Sequence, residues 1–191
     1  MEQNLMLDLP REILGQAVET DWMWWMRRVG YVLDSSLLWA EKADILLLNV
    51  YRFIPDDPKQ AIRRLQGIFD FYLCGDDGEP DEEPPREKLL DWQKDGARIW
   101  GDFRVYAGID LNTARMHWWE FMAIFKSLPP DSQIKYAIAL RALDLSEIED
   151  TKQREHYARA KRAVALEPMD YEREYDAAME RRTGLGNRTE G

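Results

Sequence analysis

The chain has 191 residues, among them eight Trp and eight Met, a formal charge of −10 and a single cysteine, Cys74. That length fits one domain, or one domain with a decorated tail. The acidic balance argues against nucleic acid and anionic membrane surfaces as partners, since both need clustered Lys and Arg. One thiol cannot form an intramolecular disulfide, which points to a reducing cytoplasm. The longest uninterrupted apolar runs, such as Trp22 to Met26 and Phe121 to Phe125, are five residues, whereas a membrane span needs about 20. Met1-Glu2-Gln3-Asn4 carries no positive charge and no long apolar core follows, so no signal peptide is expected.

In chain order, Glu12 to Glu19 alternates, with Gly15 placed for a tight turn, and reads as a small hairpin more than as a first helical turn. Thr20 and Asp21 offer N-cap oxygens for a helix through about Leu33. Ser35 or Ser36 can cap the next helix, whose face carries Leu38, Ile45 and Leu46, ending before Pro55. Asp56-Asp57-Pro58 opens a third by placing proline at the first helical position. Its Ile62, Leu65, Phe69 and Tyr72 have the spacing of a buried face, and Gly75 stops it.

Between Asp76 and Asp91 stand eight acids against Arg86 and Lys88, a net −6 of the chain's −10. Pro80, Pro84 and Pro85 forbid a continuous helix, and little apolar is present, so the segment reads as a solvated loop or an acidic docking segment. A helix then spans about Asp91 to Ala107, with Trp92, Ile99, Phe103 and Tyr106 on one stripe, and Gly108 ends it. Asn112 or Thr113 caps a helix running through about Ser127. There Met116, Trp119, Met122 and Phe125 step by three, while Trp118 and Phe121 widen the apolar arc. Asp131 or Ser132 caps a further helix carrying Ile134, Ala137, Ile138 and Leu140.

From Glu149 to Arg182 there are nine acids and eight bases, with apolar residues sparse apart from Tyr157, Ala160, Val164 and the stripe Tyr171, Tyr175, Ala178, Met179. This reads as solvent-exposed helix laced with opposite charges, and 184–191 as a disordered tail. The pattern predicts a mainly α fold, a multi-helix bundle of about seven to eight helices with a small N-terminal β-hairpin. The organisation expected is a helical domain over 1–148, containing the acidic loop 76–91, and a charged helical extension over 149–183.

Chemistry finds little footing. No phosphate-binding glycine loop, dinucleotide fingerprint or nucleophile elbow is present. The plentiful carboxylates lie in the loop and on polar faces, where desolvation cannot raise a pKa for acid–base work. His117 and Glu120 could supply two metal ligands, but with His156 and Cys74 the only other soft donors a closed zinc site is not expected. No enzyme activity, metal or cofactor is therefore anticipated. His117 reads instead as a capping or hydrogen-bonding residue, and Asp110 as an acceptor of backbone N–H groups at a helix junction. Trp118 and Trp119 fit one wide apolar face and read first as core, with Trp118 a secondary candidate for a partner anchor. Met23-Trp24-Trp25-Met26 is the better candidate for a partner contact, because four consecutive large apolar residues cannot all point inward unless the helix is surrounded.

Several of these segments, taken in order, resemble one family. They are Leu7-Asp8-Leu9-Pro10, Thr20-Asp21-Trp22, Ile54-Pro55 with Ala61-Ile62, and Phe69-Phe71-Tyr72-Cys74-Gly75 before the acidic loop. Asp95 with Ile99-Trp100 and Phe103 follows, then Tyr106, Gly108-Ile109-Asp110-Leu111 and His117-Trp118-Trp119 with Phe121 and Leu128. Over roughly residues 5 to 166 the chain resembles the bacteriophage Gp-fifteen family, encoded in siphophages between the major tail protein and the tape-measure protein. The segment Glu12 to Glu19 is shorter than the family's usual hairpin, and the tail beyond Leu166 has no counterpart. The resemblance implies a tail-assembly chaperone in the host cell cytoplasm. Such a protein coats the helical tape-measure protein and helps tail-tube protein polymerise around it, without remaining in the virion. The alternatives are a tail-completion or head–tail connector subunit retained in the particle, and a host-directed binding protein. Self-association is left open.

Overall fold

The computed structural model describes residues 9–75 and 88–166. The expected hairpin is present: β1 (Glu12–Ile13) pairs antiparallel with β2 (Gln16–Ala17), Glu12 opposite Ala17 and Ile13 opposite Gln16. Leu14 and Gly15 turn it with φ of 51° and 74°, positive at both central positions as a two-residue hairpin turn requires. Buried Ile13 brings the hairpin hard against a later helix, where a Cβ on Gly67 would stand 2.6 Å from Ile13 Cγ2. Only glycine permits that approach.

Asp21 caps the first helix by accepting N–H bonds from Met23 and Trp24. The helix continues to Asp34 in three parts: α1 (Trp22–Trp25), a π-helical turn (Met26–Gly30) and α2 (Tyr31–Asp34). Ser35 and Ser36 do not cap the next one. The Ser35 hydroxyl closes the helix behind it on Val32 O at 2.6 Å. Helix α3 (Trp39–Tyr51) instead starts at Leu38, whose N–H donates to the Glu41 carboxylate. Its core face is Leu46, Leu47, Val50 and Tyr51.

Helix α4 (Pro58–Tyr72) opens as its sequence directs, with Pro58 first and Asp57 accepting from the Lys59 N–H. Its core face, however, is Gly67, Ile68 and Phe71, while Ile62 is 57% exposed. The predicted stripe therefore lies at the edge of the packing surface, because α3 and the hairpin take the side of Ile68, about 120° around the helix from Ile62.

The second half diverges from the expected boundaries for physical reasons. Most of the acidic loop, 76–87, lies outside the described residues. The helix expected from Asp91 begins at α5 (Gly96–Asp102) and widens into a π-helical turn (Phe103–Ala107). Trp92, Ile99 and Phe103 are buried, but Tyr106 is 48% exposed, since the i→i+5 spacing of that turn rotates it off the stripe. Gly108 closes the turn with φ 69°, its N–H on Phe103 O.

Helix α6 (Trp118–Ser127) starts later than Asn112 or Thr113 suggested, with His117 as its cap. Its core side is Trp118, Phe121 and Phe125, with Leu128 beyond; Met116, Trp119 and Met122 are only half-buried. Phe121 is the centre of the aromatic core, within 4.8 Å, centroid to centroid, of both Trp22 and Phe103 and 5.5 Å of Trp118. Helix α7 (Gln133–Ala142) is capped by Ser132, and α8 (Thr151–Val164) by Asp150. No residue of α8 is fully buried, in keeping with its charged composition, and it is tied to α7 by Lys161 Nζ on Leu143 O. The stripe Tyr171–Met179 and the tail 184–191 lie outside the described residues. The architecture is thus a mainly helical bundle with one small hairpin.

Candidate protein-binding surface

The motif segments converge, and what they build is a junction. Thr20-Asp21-Trp22 and Met116-His117-Trp118 lie side by side as an antiparallel bridge, Trp22 N on Met116 O at 3.1 Å and Trp118 N on Thr20 O at 2.7 Å. Helices α1 and α6 therefore start at one point. His117 uses both ring nitrogens there: Nδ1 accepts the Trp119 N–H at 3.0 Å, and Nε2 lies 2.8 Å from Pro10 O. A carbonyl can only accept, so the proton sits on Nε2.

The two tryptophans after it complete the joint. Trp118 Nε1 donates to Tyr72 O at 2.8 Å and Trp119 Nε1 to Phe71 O at 2.9 Å. These carbonyls belong to the last turn of α4, where helical acceptors lack intrahelical donors. The Tyr72 ring stacks on Trp118 at 5.1 Å, and its hydroxyl accepts from Trp92 Nε1. Burial pushes the Tyr72 phenol far above its ordinary 10.0, so it stays neutral and hydrogen-bonding.

Gly108-Ile109-Asp110-Leu111 is likewise a corner. Asp110 accepts the Asn112 N–H at 3.0 Å, Trp100 Nε1 at 3.1 Å and Arg104 Nη1 at 2.7 Å. Those bonds, the Asn112 N–H foremost, hold its carboxyl below the usual range. One consequence is that the Trp100 ring is fixed in place.

That ring forms one wall of the surface of interest. Trp22, Met23, Met26, Trp92, Trp100 and Leu111 line an open pocket of about 190 Å³, with Gln93 and Asn112 among its polar lining. The predicted partner residues divide around it. Trp25, at 0%, Met26, at 8%, and Trp118, at 0% exposure, are core, so direct contact through Trp25 and Trp118 is closed and Met26 offers only the pocket floor. Met23 and Trp24 are half-buried and remain accessible. Trp100, which periodicity did not single out, is 38% exposed. Its signal was the acidic residue ten positions later, legible only once the π-turn had placed the two together. A second depression, about 260 Å³, lies between the hairpin and Trp119.

The described residues include no group of three or more His, Cys, Asp or Glu side chains able to hold a metal ion. No helix among them is long and apolar enough to cross a membrane. No curated protein and no solved structure matches the chain. A family model described as Bacteriophage Gp15 protein matches residues 15–166. The match covers well over half of the sequence and contains the bridge, the α4 carbonyls and the pocket, and on it the chain belongs to the bacteriophage Gp15 family.

Proposed function

We propose that this phage protein is a tail-assembly chaperone, acting in the host cell cytoplasm by binding apolar segments of the tape-measure and tail-tube proteins rather than by catalysis. The observation that supports the reading is the open Trp–Met pocket, which accessible Met23 and Trp100 help to line. Small-molecule sites typically enclose about 300–1,000 Å³, whereas an apolar cavity of about 150 Å³ holds one benzene ring. A 190 Å³ pocket thus suits a single side chain projecting from a helix, the anchor of helix-in-groove recognition. Methionines on its walls adapt to different anchors along a long helical partner.

The test is co-expression with the tape-measure protein of the same phage. The intact chain keeps it soluble and co-purifies with it, and Met23→Glu or Trp100→Ala loses both effects while still folding. A tape-measure protein that stays equally soluble without the chaperone sinks the reading. So does finding the chain at ring stoichiometry in purified virions, which makes it a connector. Trp24→Ala should weaken the complex with little loss of stability. A loss of about 3–5 kcal/mol would mark Trp24 as core instead.

A further inference from the structure

One side of α4 is left in water. Ile62, Phe69 and Leu73 recur at i, i+7 and i+11, within about 40° of one another around the helix. Trp39 of α3 stacks on Phe69 at 5.8 Å. Trp39 and Ile62 are each 57% exposed and Leu73 50%. The stripe lies nearly opposite the core face of Gly67, Ile68 and Phe71. An apolar stripe of this kind marks a surface that meets something.

We propose that it meets a second copy of this chain, the two α4 helices lying antiparallel about a two-fold axis near Gln66. Charge carries this choice. The helix holds four charged residues, Lys59, Arg63, Arg64 and Asp70. Arg64 turns away from the stripe, its guanidinium over the Tyr51 and Phe53 rings and Nη1 on Gln16 Oε1. Lys59, Arg63 and Asp70 are exposed, and no ion pair among the described residues engages them. All three lie about 60–100° to the same side of the stripe, the bases in the first half of the helix and the acid in the second.

An antiparallel two-fold pairing sets that flank against the identical flank of the other copy, in reverse order. Arg63 of each copy then faces Asp70 of the other, and Ile62 faces the Trp39–Phe69 stack. A parallel pair would set the same flank against Ala61, Leu65 and Tyr72, with no counter-charge. Neighbouring charges do not disturb the match. Asp57 is held in the α4 cap, Glu41 accepts the Leu38 N–H and Lys42 Nζ reaches Leu33 O. Asp44 points about 140° around α3 from Trp39, and Asp56 lies beyond the paired stretch. The ion pairs fix register and orientation, while the apolar stripe, brought in twice by symmetry, supplies the affinity.

The inference does not rest on the chaperone reading, and the full chain alone tests it. Sedimentation velocity should show a monomer–dimer equilibrium, and Ile62→Asp should raise the dimer dissociation constant at least tenfold. Arg63→Glu and Asp70→Arg should each raise it several-fold, and the two together should restore it. In a Cys74→Ser background, Gln66→Cys at the axis should oxidise to a covalent dimer. Lys59→Cys should not, since its two copies stand about 20 Å apart. A chain that is monomeric at every concentration overturns the proposal. So does a dimer that Ile62→Asp leaves intact, or a double charge variant no tighter than the single ones. Ile62 is exposed, so Ile62→Asp should fold, with a circular dichroism spectrum matching that of the intact chain.

Discussion

The two halves of the molecule solve the same problem with opposite chemistry. Where α1, α4 and α6 meet, the open ends are carbonyls, and indole N–H groups answer them: Trp118 and Trp119 on the last turn of α4, Trp25 on Glu19 O, Trp22 on Ala114 O. Where α5, α7 and α8 meet, carboxylates and a guanidinium do the work. Buried Asp102 accepts the Gln133 and Ile134 N–H groups at the start of α7, at 3.0 and 2.8 Å. Buried Asp95 takes both Nη atoms of Arg141 at 2.7 and 2.8 Å, while the same guanidinium reaches Val164 O and Leu89 O. Helix ends must be satisfied in either case. An aromatic joint does so with neutral groups that also fill volume, and a charged joint depends on every partner being present.

That contrast sets an order of expected effects. Arg141→Ala leaves the Asp95 carboxylate buried and two carbonyls without their donor, and should cost about 3–5 kcal/mol in urea unfolding. The pair Asp95→Leu with Arg141→Met should recover part of that loss, because no unpaired charge stays buried, Arg98 being partly exposed to water. If the double variant is as unstable as the single, the charged joint does more than satisfy itself. Trp118→Ala removes the ring between Tyr72 and Phe121 and should also cost about 3–5 kcal/mol, but Trp118→Phe, which keeps most of the volume and leaves Tyr72 O only the weak Cys74 thiol donor, only about 1–3 kcal/mol. Asp102→Ala leaves the Gln133 and Ile134 N–H groups at the start of α7 without their acceptor, Ser132 still capping the helix, and should cost about 1–3 kcal/mol.

The halves should also separate by pH. Burial by itself would raise the Asp95 carboxyl, but the bonds from Arg141 and the Asp91 N–H, with Arg98 nearby, bring it below its ordinary 3.8. A carboxyl depressed in the folded state contributes stability above its unfolded pKa and loses it as pH falls through the folded value. Stability of the intact chain should therefore decline below about pH 4, and Asp95→Leu/Arg141→Met should flatten that decline where Trp118→Phe leaves it unchanged. Gly67→Ala belongs with the smaller effects: the new Cβ must displace Ile13, and overpacking should cost about 1–3 kcal/mol.

Much of the fold was legible in the chain. Pro58 after Asp57 set the start of α4, the pair Asp131 and Ser132 that of α7, and Gly15 the hairpin turn, since each is a local matter of backbone donors, φ and turn geometry. The acceptor role of Asp110 and the capping role of His117 were legible for the same reason. Where reading failed, non-local packing had decided. Ile62 was placed inside because its spacing is that of a buried face, yet spacing gives the existence of a stripe and not which side neighbours cover. Tyr106 left its stripe through a π-turn that no residue type announces.

The sequence by itself determined a helical chain, its caps, an acidic surface and the family motif, all properties written within a few turns of backbone. Only the tertiary structure decided that Trp25 and Trp118 are interior while Met23 and Trp100 border an open pocket. The Asp95–Arg141 pair, 46 residues apart, was its decision too. Burial and ion pairing are relations between distant segments, and the free energy that fixes them appears only when those segments exclude water together.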